Sequence, residues 1–216
     1  MVITSLQHPD QFKVRFAARL ATALPGAEAQ DAMTSRARMP LEVYLQKNPD
    51  YRKSAVAMLL YPINDVVHTL IIERPAYEGV HSGQLALPGG KTESEDTDAI
   101  HTAIRETREE VGVLLDRSQI LGALSPLYIP PSNFLVLPFA AWLNEQPKFT
   151  PDTREVAGLL EVPLHTFLDE SIKSRRRIPV AKNTFIEAPC YVINGKVLWG
   201  ATAMMFSEIE QILNGK

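Results

Sequence analysis

The chain is 216 residues long, with 45% hydrophobic and 22% charged residues and a formal net charge of −3. Those proportions suit one large globular domain or a domain with an appendage, and the charge excludes a bulk electrostatic drive towards nucleic acid. The single cysteine, Cys190, excludes an internal disulfide and reads as a small buried apolar residue in a reducing compartment. No apolar run approaches membrane-spanning length and the N-terminus lacks a hydrophobic signal core, so a cytoplasmic protein with no membrane partner is the expectation.

Residues 10–22, with Phe12, Val14, Phe16 and Leu20, read as an amphipathic helix that Pro25-Gly26 breaks. A second helix is expected over Ala27–Ala37, with Pro40 ending the segment. Arg36, Arg38, Arg52 and Lys53 lie in or just after this region, as solvated surface or, on the sharper reading, as phosphate contacts. Ser54–Tyr61 is a near-continuous apolar run and reads as a central strand. Asn64-Asp65 marks a turn, and Val66–Glu73 is its hairpin partner. An irregular loop follows from Arg74 to Gly83, in which His81 reads as incidental, and Gln84–Leu87 is a short strand.

The chain is organised around Leu87–Val113. A tight turn, Pro88-Gly89-Gly90, and an acidic connector lead into a helix bearing Arg105, Glu106, Glu109 and Glu110. Asp96 or Thr97 is the expected N-cap and Gly112 the left-handed C-terminal cap. At 100° per residue the three glutamates fall within about a 100° arc. Ile100, Ile104, Thr107 and Val111 form a separate stripe that should meet a core. Three like charges on one arc repel, and a hard divalent cation resolves that repulsion. Gly89-Gly90 would let backbone carbonyls approach such an ion, and Arg105 can pair with Glu109 four residues on.

Beyond the helix, Ile120–Leu124 reads as a short strand and Tyr128–Asn133 as a loop. Phe134–Leu143 reads as a strand whose Pro138 implies an edge or a bulge. Glu155 lies just ahead of Gly158-Leu159-Leu160-Glu161-Val162-Pro163-Leu164, and Leu164–Asp169 looks helical. Ser174–Arg177 is a basic cluster, read as a solvated loop ahead of a phosphate or partner site. Thr184–Ile193 and Lys196–Trp199 flank Asn194-Gly195, a type I′ hairpin signal, and Thr202–Leu213 reads as an amphipathic helix.

The central stretch resembles the Nudix box, Gly-x5-Glu-x7-Arg-Glu-U-x-Glu-Glu-x-Gly-U, where U is aliphatic. Arg105–Val113 matches its second half, with Thr107 at an aliphatic position. In the first half Asp96 stands in place of Glu, and eight residues rather than seven separate it from Arg105. That spacing resembles the coenzyme A diphosphatase branch, whose upstream motif reads roughly Leu-Leu-Thr-x-Arg-Ser-x3-Arg-x3-Gly-x3-Phe-Pro-Gly-Gly. The chain keeps Arg74, Gly83, Pro88, Gly89 and Gly90, and has Ile72, Pro75, Gly79 and Leu87 where the motif has Thr, Ser, Arg and Phe. Trp199-Gly200-Ala201-Thr202 resembles the same branch.

The resemblance implies an α/β (α+β) Nudix fold, a mixed β-sheet between helices, with residues 1–50 an N-terminal helical extension and 51–216 the hydrolase domain. It implies Mg²⁺ or Mn²⁺ held by Glu109, Glu110 and Glu106, with the Gly89 carbonyl as a fourth ligand. Arg105 would orient the carboxylates, and Glu155 would ligate metal or act as base. Arg74, Gly83 and Gly90 fall to substrate. The expected reaction is hydrolysis of coenzyme A to 4′-phosphopantetheine and adenosine 3′,5′-bisphosphate. ADP-ribose or a dinucleotide is the alternative substrate, and a catalytically silent nucleotide-binding module the alternative class. Retaining Arg-Glu-x2-Glu-Glu argues against silence, because nothing else would keep repelling carboxylates together. A homodimer is expected by family analogy.

Overall fold

A computed structural model describes residues 8–75, 83–181 and 184–215. The loop positions Gly79, His81 and Ser82 lie outside the described residues. Three helices come first, α1 (Pro9–Leu20), α2 (Ala27–Gln30) and α3 (Leu41–Lys47). Strands β1 (Arg52–Ile63), β2 (Val66–Glu73), β3 (Leu85–Ala86) and β4 (Gly89–Lys91) lead to helix α4 (Ala99–Val111). Strands β5 (Ile120–Ala123), β6 (Leu127–Ile129), β7 (Phe134–Trp142) and β8 (Gly158–Pro163) complete the large sheet. Strands β9 (Lys173–Ala181), β10 (Thr184–Ile193) and β11 (Lys196–Trp199) make a second sheet, and α5 (Gly200–Leu213) closes the chain.

The large sheet runs β3-β2-β1-β7-β5, with β4 also on β1, β6 on β7 and β8 on β2. It is mixed, because β1 and β7 are parallel while their other partners run antiparallel. Strand β1 is central, as its apolar run requires. Its alternate residues serve two cores: Met58 and Leu60 face α1 and α5, whereas Ala55, Ala57, Leu59 and Tyr61 face α4. The sheet is thus covered on both faces by helices.

Several sequence expectations change in tertiary context. The helix expected over Ala27–Ala37 stops by Met33, because the Thr34 hydroxyl bonds the Arg36 backbone and turns the chain. Pro40 does not merely end a segment. Its carbonyl accepts from Val43 and Tyr44 and starts α3. The loop expected at Tyr128–Asn133 opens as strand β6, followed by a 3₁₀ turn at Pro130–Ser132. Strand β7 is interior, not an edge. Its Pro138 sits where one neighbour, β6, gives way to another, β5, so the missing N–H falls at a break in the ladder. The Ser174–Arg177 cluster is not a loop but part of β9, an edge strand where charge is tolerated.

Helix α5 is buried on nearly every side rather than amphipathic. It lies between the large sheet and the N-terminal segment, so even its polar residues are internal. The Ser207 hydroxyl donates to the Ala29 carbonyl at 2.8 Å. Glu208 is fully buried and accepts from the Gly26 amide, Gln30 Nε2 and both the amide and hydroxyl of Ser125. Residues 26–30 are thereby bonded to α5 and to the turn between β5 and β6.

Candidate active site

Helix α4 begins at Asp98, whose carboxylate accepts from the His101 amide at 2.9 Å; the N-cap is neither Asp96 nor Thr97. Asp96 has another role. Its side chain is fully buried and accepts Arg105 Nε at 3.0 Å and Nη2 at 2.9 Å. The Glu93 amide and the Thr102 hydroxyl, each at 2.9 Å, complete its shell. The Arg105 guanidinium, more than any other partner, holds the Asp96 carboxyl far below the usual carboxylate range. Arg105 then donates to Glu106 and Glu109, each at 2.9 Å, and to the Lys91 carbonyl at 3.0 Å. One guanidinium, anchored from below, therefore sets the positions of two glutamates and the backbone of β4.

The stripe of α4 that enters the core is Thr102, Ala103, Thr107 and Val111, with Ile100 and Ile104 only half-buried. Gly112 ends the helix at φ 72°, the expected left-handed cap. Glu110 is 3% exposed and its Oε2 accepts the Gly89 amide at 2.8 Å. Burial pushes its carboxyl up to about 7, with that amide and Arg74 pulling the other way and Glu106 and Glu155 adding like charge. Burial also raises Glu106, against Arg105, with Glu109 and Glu155 as further like charges.

Glu155 lies near enough to add like charge to Glu106 and Glu110, because its loop folds back on the helix end. The Thr150 amide donates to the Val111 carbonyl at 2.9 Å and the Asp152 amide to the Glu110 carbonyl at 3.0 Å. These bonds satisfy carbonyls that a helix C-terminus leaves open. Gly90 passes so close that a Cβ there would overlap the Glu106 carboxylate. Among the described residues no three His, Cys, Asp or Glu side chains stand ready as a metal cluster. Glu109 is turned to Arg105, and one oxygen of Glu110 to Gly89. The donor set is nonetheless all oxygen and anionic, which fits a hard cation once those carboxylates turn.

Beside these carboxylates opens a cleft of about 780 Å³. Its near end is Gly89, Gly90, Lys91 and Arg74, whose Nη2 donates to the Gly89 carbonyl at 3.4 Å. Its floor is Val56, Leu127 and Val136, its far wall residues 33–38, and its roof Trp199–Thr202 with Met204 and Met205. Arg36, Arg38, Arg74 and Lys91 line it, and no carboxylate does so among the described residues. Gly83 is not part of this lining; its amide donates to the Pro75 carbonyl at 3.1 Å. The wall at 33–38 escaped sequence reasoning, where its one signal was the pair Arg36 and Arg38.

A NUDIX domain model matches residues 51–182, which include the carboxylates, Arg105, Gly89-Gly90 and Glu155. The chain belongs to the Nudix family. It is 34% identical over 144 residues to an uncharacterized Nudix hydrolase, NudL, of Pectobacterium atrosepticum, covering 66% of this chain and 72% of that protein. It is 31% identical over 168 residues to Nudix hydrolase 15, mitochondrial, of Arabidopsis thaliana, covering 74% of this chain and 59% of that protein. The MutT protein of Methanosarcina mazei superposes with a TM-score of 0.51 at 17% identity, over 77% of this chain and 96% of that one, and shares the fold. As a Nudix hydrolase this chain acts on pyrophosphate bonds, and such enzymes generally use divalent metals such as Mg²⁺ or Mn²⁺. Among the described residues no helix of this Nudix hydrolase is long and apolar enough to cross a membrane.

Burial of Glu110 gives the metal-free Nudix hydrolase a pH signature. A glutamate ordinarily titrates near 4.5, whereas Glu110 in the fold titrates at about 7. Between those values the folded state holds the extra proton. The group's contribution to stability is therefore full below the lower value and is lost as pH rises through the higher one. In chelator, wild type should lose more urea resistance than Glu110→Gln between about pH 5.5 and about pH 8. Parallel losses in the two proteins would refute the assignment.

Proposed function

We propose that the protein is a divalent-metal-dependent diphosphatase of coenzyme A, releasing 4′-phosphopantetheine and adenosine 3′,5′-bisphosphate. The observation that carries this reading is the cleft. It runs from Gly89-Gly90, beside the carboxylates, to residues 33–38, with four cations, many apolar groups and no carboxylate among the described residues of its lining. A diphosphate with a further phosphate and two partly apolar arms matches that surface. The eight-residue spacing in the box and the Arg74…Gly83…Pro88-Gly89-Gly90 run support the same substrate.

In this reading residues 51–216 form the hydrolase domain, and residues 1–50 an extension whose segment 33–38 walls the cleft. Glu106, Glu109 and Glu110 would hold Mg²⁺ or Mn²⁺ together with the Gly89 carbonyl. The bound ion would offset diphosphate charge and make a nucleophilic water available near neutral pH. Arg105 positions Glu106 and Glu109 through its anchor on Asp96. Glu155, exposed on its loop, would ligate metal or take a proton. Arg74 and Lys91 face the diphosphate at the near end.

The test compares kcat/KM for coenzyme A, 3′-dephospho-coenzyme A and ADP-ribose under one metal and salt condition. Coenzyme A should be cleaved with the highest efficiency. A clear preference for ADP-ribose would overturn the coenzyme A reading and leave the diphosphatase.

A further inference from the structure

We infer that Arg36, supplied by the N-terminal segment, is the specificity-determining cation of the cleft and reads a phosphate of the substrate other than the diphosphate. The inference rests on the coenzyme A reading for its choice of phosphate, the one on the 3′-oxygen of the ribose. The cleft's other arginines have partners. Arg38 donates to the Tyr128 carbonyl at 2.5 Å and lies over the Tyr44 ring at 5.4 Å. Arg74 stands against the Gly89 carbonyl. Lys91 follows Gly90 directly in β4 and so belongs to the diphosphate end. Arg36 is exposed at the cleft wall, and among the described residues its guanidinium has no hydrogen-bond, ion-pair or ring partner.

Its place in the fold separates it from the diphosphate. Arg38 secures the segment to β6, while Gly89 and Gly90 pair with β1. Strand β7 lies between β1 and β6, so β4 and β6 are three strand spacings apart, roughly 14 Å between backbones. A guanidinium on a segment fastened at β6 is better placed for a group beside the diphosphate than for the diphosphate held at β4. The hydroxyl of Ser132, buried without a hydrogen-bond partner among the described residues, lines the same end. The wall is also built to stay in place. Glu208 takes four neutral donors from Gly26, Gln30 and Ser125, and Ser207 holds Ala29, just before the segment that carries Arg36. A planar guanidinium is suited to bidentate capture of a terminal phosphate.

The experiment uses Arg36→Ala in the full chain, beside Lys91→Ala and wild type. Wild type should cleave coenzyme A more efficiently than 3′-dephospho-coenzyme A. Arg36→Ala should lose about tenfold or more in kcat/KM for coenzyme A, mostly in KM, and little for the dephospho compound, so the preference disappears. Lys91→Ala should weaken both substrates together. A second readout needs no turnover. In chelator, wild type should bind adenosine 3′,5′-bisphosphate more tightly than AMP, and Arg36→Ala should bind the two alike. A wild-type preference that survives Arg36→Ala overturns the role of Arg36 while leaving the coenzyme A reading intact. Equal wild-type rates with and without the 3′-phosphate overturn it too. A wild-type preference for ADP-ribose instead removes the underlying substrate reading.

Discussion

Glu110→Gln is expected to lose turnover by on the order of 100-fold or more at saturating Mg²⁺ while keeping its fold. Substitution of partners outside a metal's own shell typically costs about 10–100-fold, and a ligand should cost at least as much. The glutamine amide preserves side-chain size, and its oxygen can still accept the Gly89 amide that Glu110 accepts at 2.8 Å. What disappears is a negative charge from a site that already feels Glu106 and Glu155. Steady-state kinetics against Mg²⁺ concentration checks this, and near-normal turnover at saturating metal would remove Glu110 from the proposed ligands. Stability should move in the opposite direction. In chelator near pH 8 the variant should melt slightly higher than wild type, because a buried, repelled carboxylate is gone. Metal should stabilise wild type clearly more; a ligand at about 100 times its Kd contributes about 2.7 kcal/mol.

Gly89→Ala should destabilise the protein by several kcal/mol, and the neighbouring Gly90→Ala should mainly damage activity. Gly89 has φ +153°, a conformation that side chains rarely adopt. A Cβ there would lie 2.5 Å from Val56 Cα and also press on the Ala55 carbonyl oxygen. Both belong to the backbone of β1, the centre of the sheet, which cannot yield locally. Conformational strain of about 1–3 kcal/mol and overpacking of a similar size would add. At Gly90 the obstruction is the Glu106 carboxylate, the end of a flexible side chain that can swing aside. The fold then survives, and a group proposed to hold metal is displaced. Urea unfolding of both variants, with activity measured on the folded fraction, separates the two effects. A Gly89→Ala protein as stable as wild type would contradict the close approach of β4 to β1.

Strand β1, the hairpin at Asn64-Asp65, helix α4 with its Gly112 cap and the Asn194-Gly195 hairpin were legible because each follows from local rules. Alternation, turn chemistry and capping act over a few residues. Errors arose where distant chain competes. Asp96 looked like an N-cap because it precedes a helix, and only the fold brings Arg105 back onto it. The tail helix looked amphipathic because Ser207 and Glu208 are polar, and only packing against residues 26–30 and Ser125 shows both satisfied inside. Pro138 looked like an edge or bulge signal, and only the succession of β6 and β5 along one flank of β7 explains its interior place.

The chemistry on offer is written locally in the chain: Glu106, Glu109 and Glu110 on one arc, Arg105 within reach, and glycines before them that admit close approach. These are properties of a 3.6-residue helical period and of side-chain type, and need no partner from elsewhere in the chain. Which groups share a site follows only from the packing of distant segments. That packing placed the charge of Glu155 within influence of Glu106 and Glu110 by bonding Thr150 and Asp152 to open carbonyls at the end of α4. It also tied residues 33–38 to β6 through Arg38 as a wall of the cleft, with Gly26 and Gln30 ahead of them held by Glu208, on a helix more than 150 residues away in sequence. Contacts between distant segments depend on shape and burial summed over the whole fold, and no local pattern in the sequence records them.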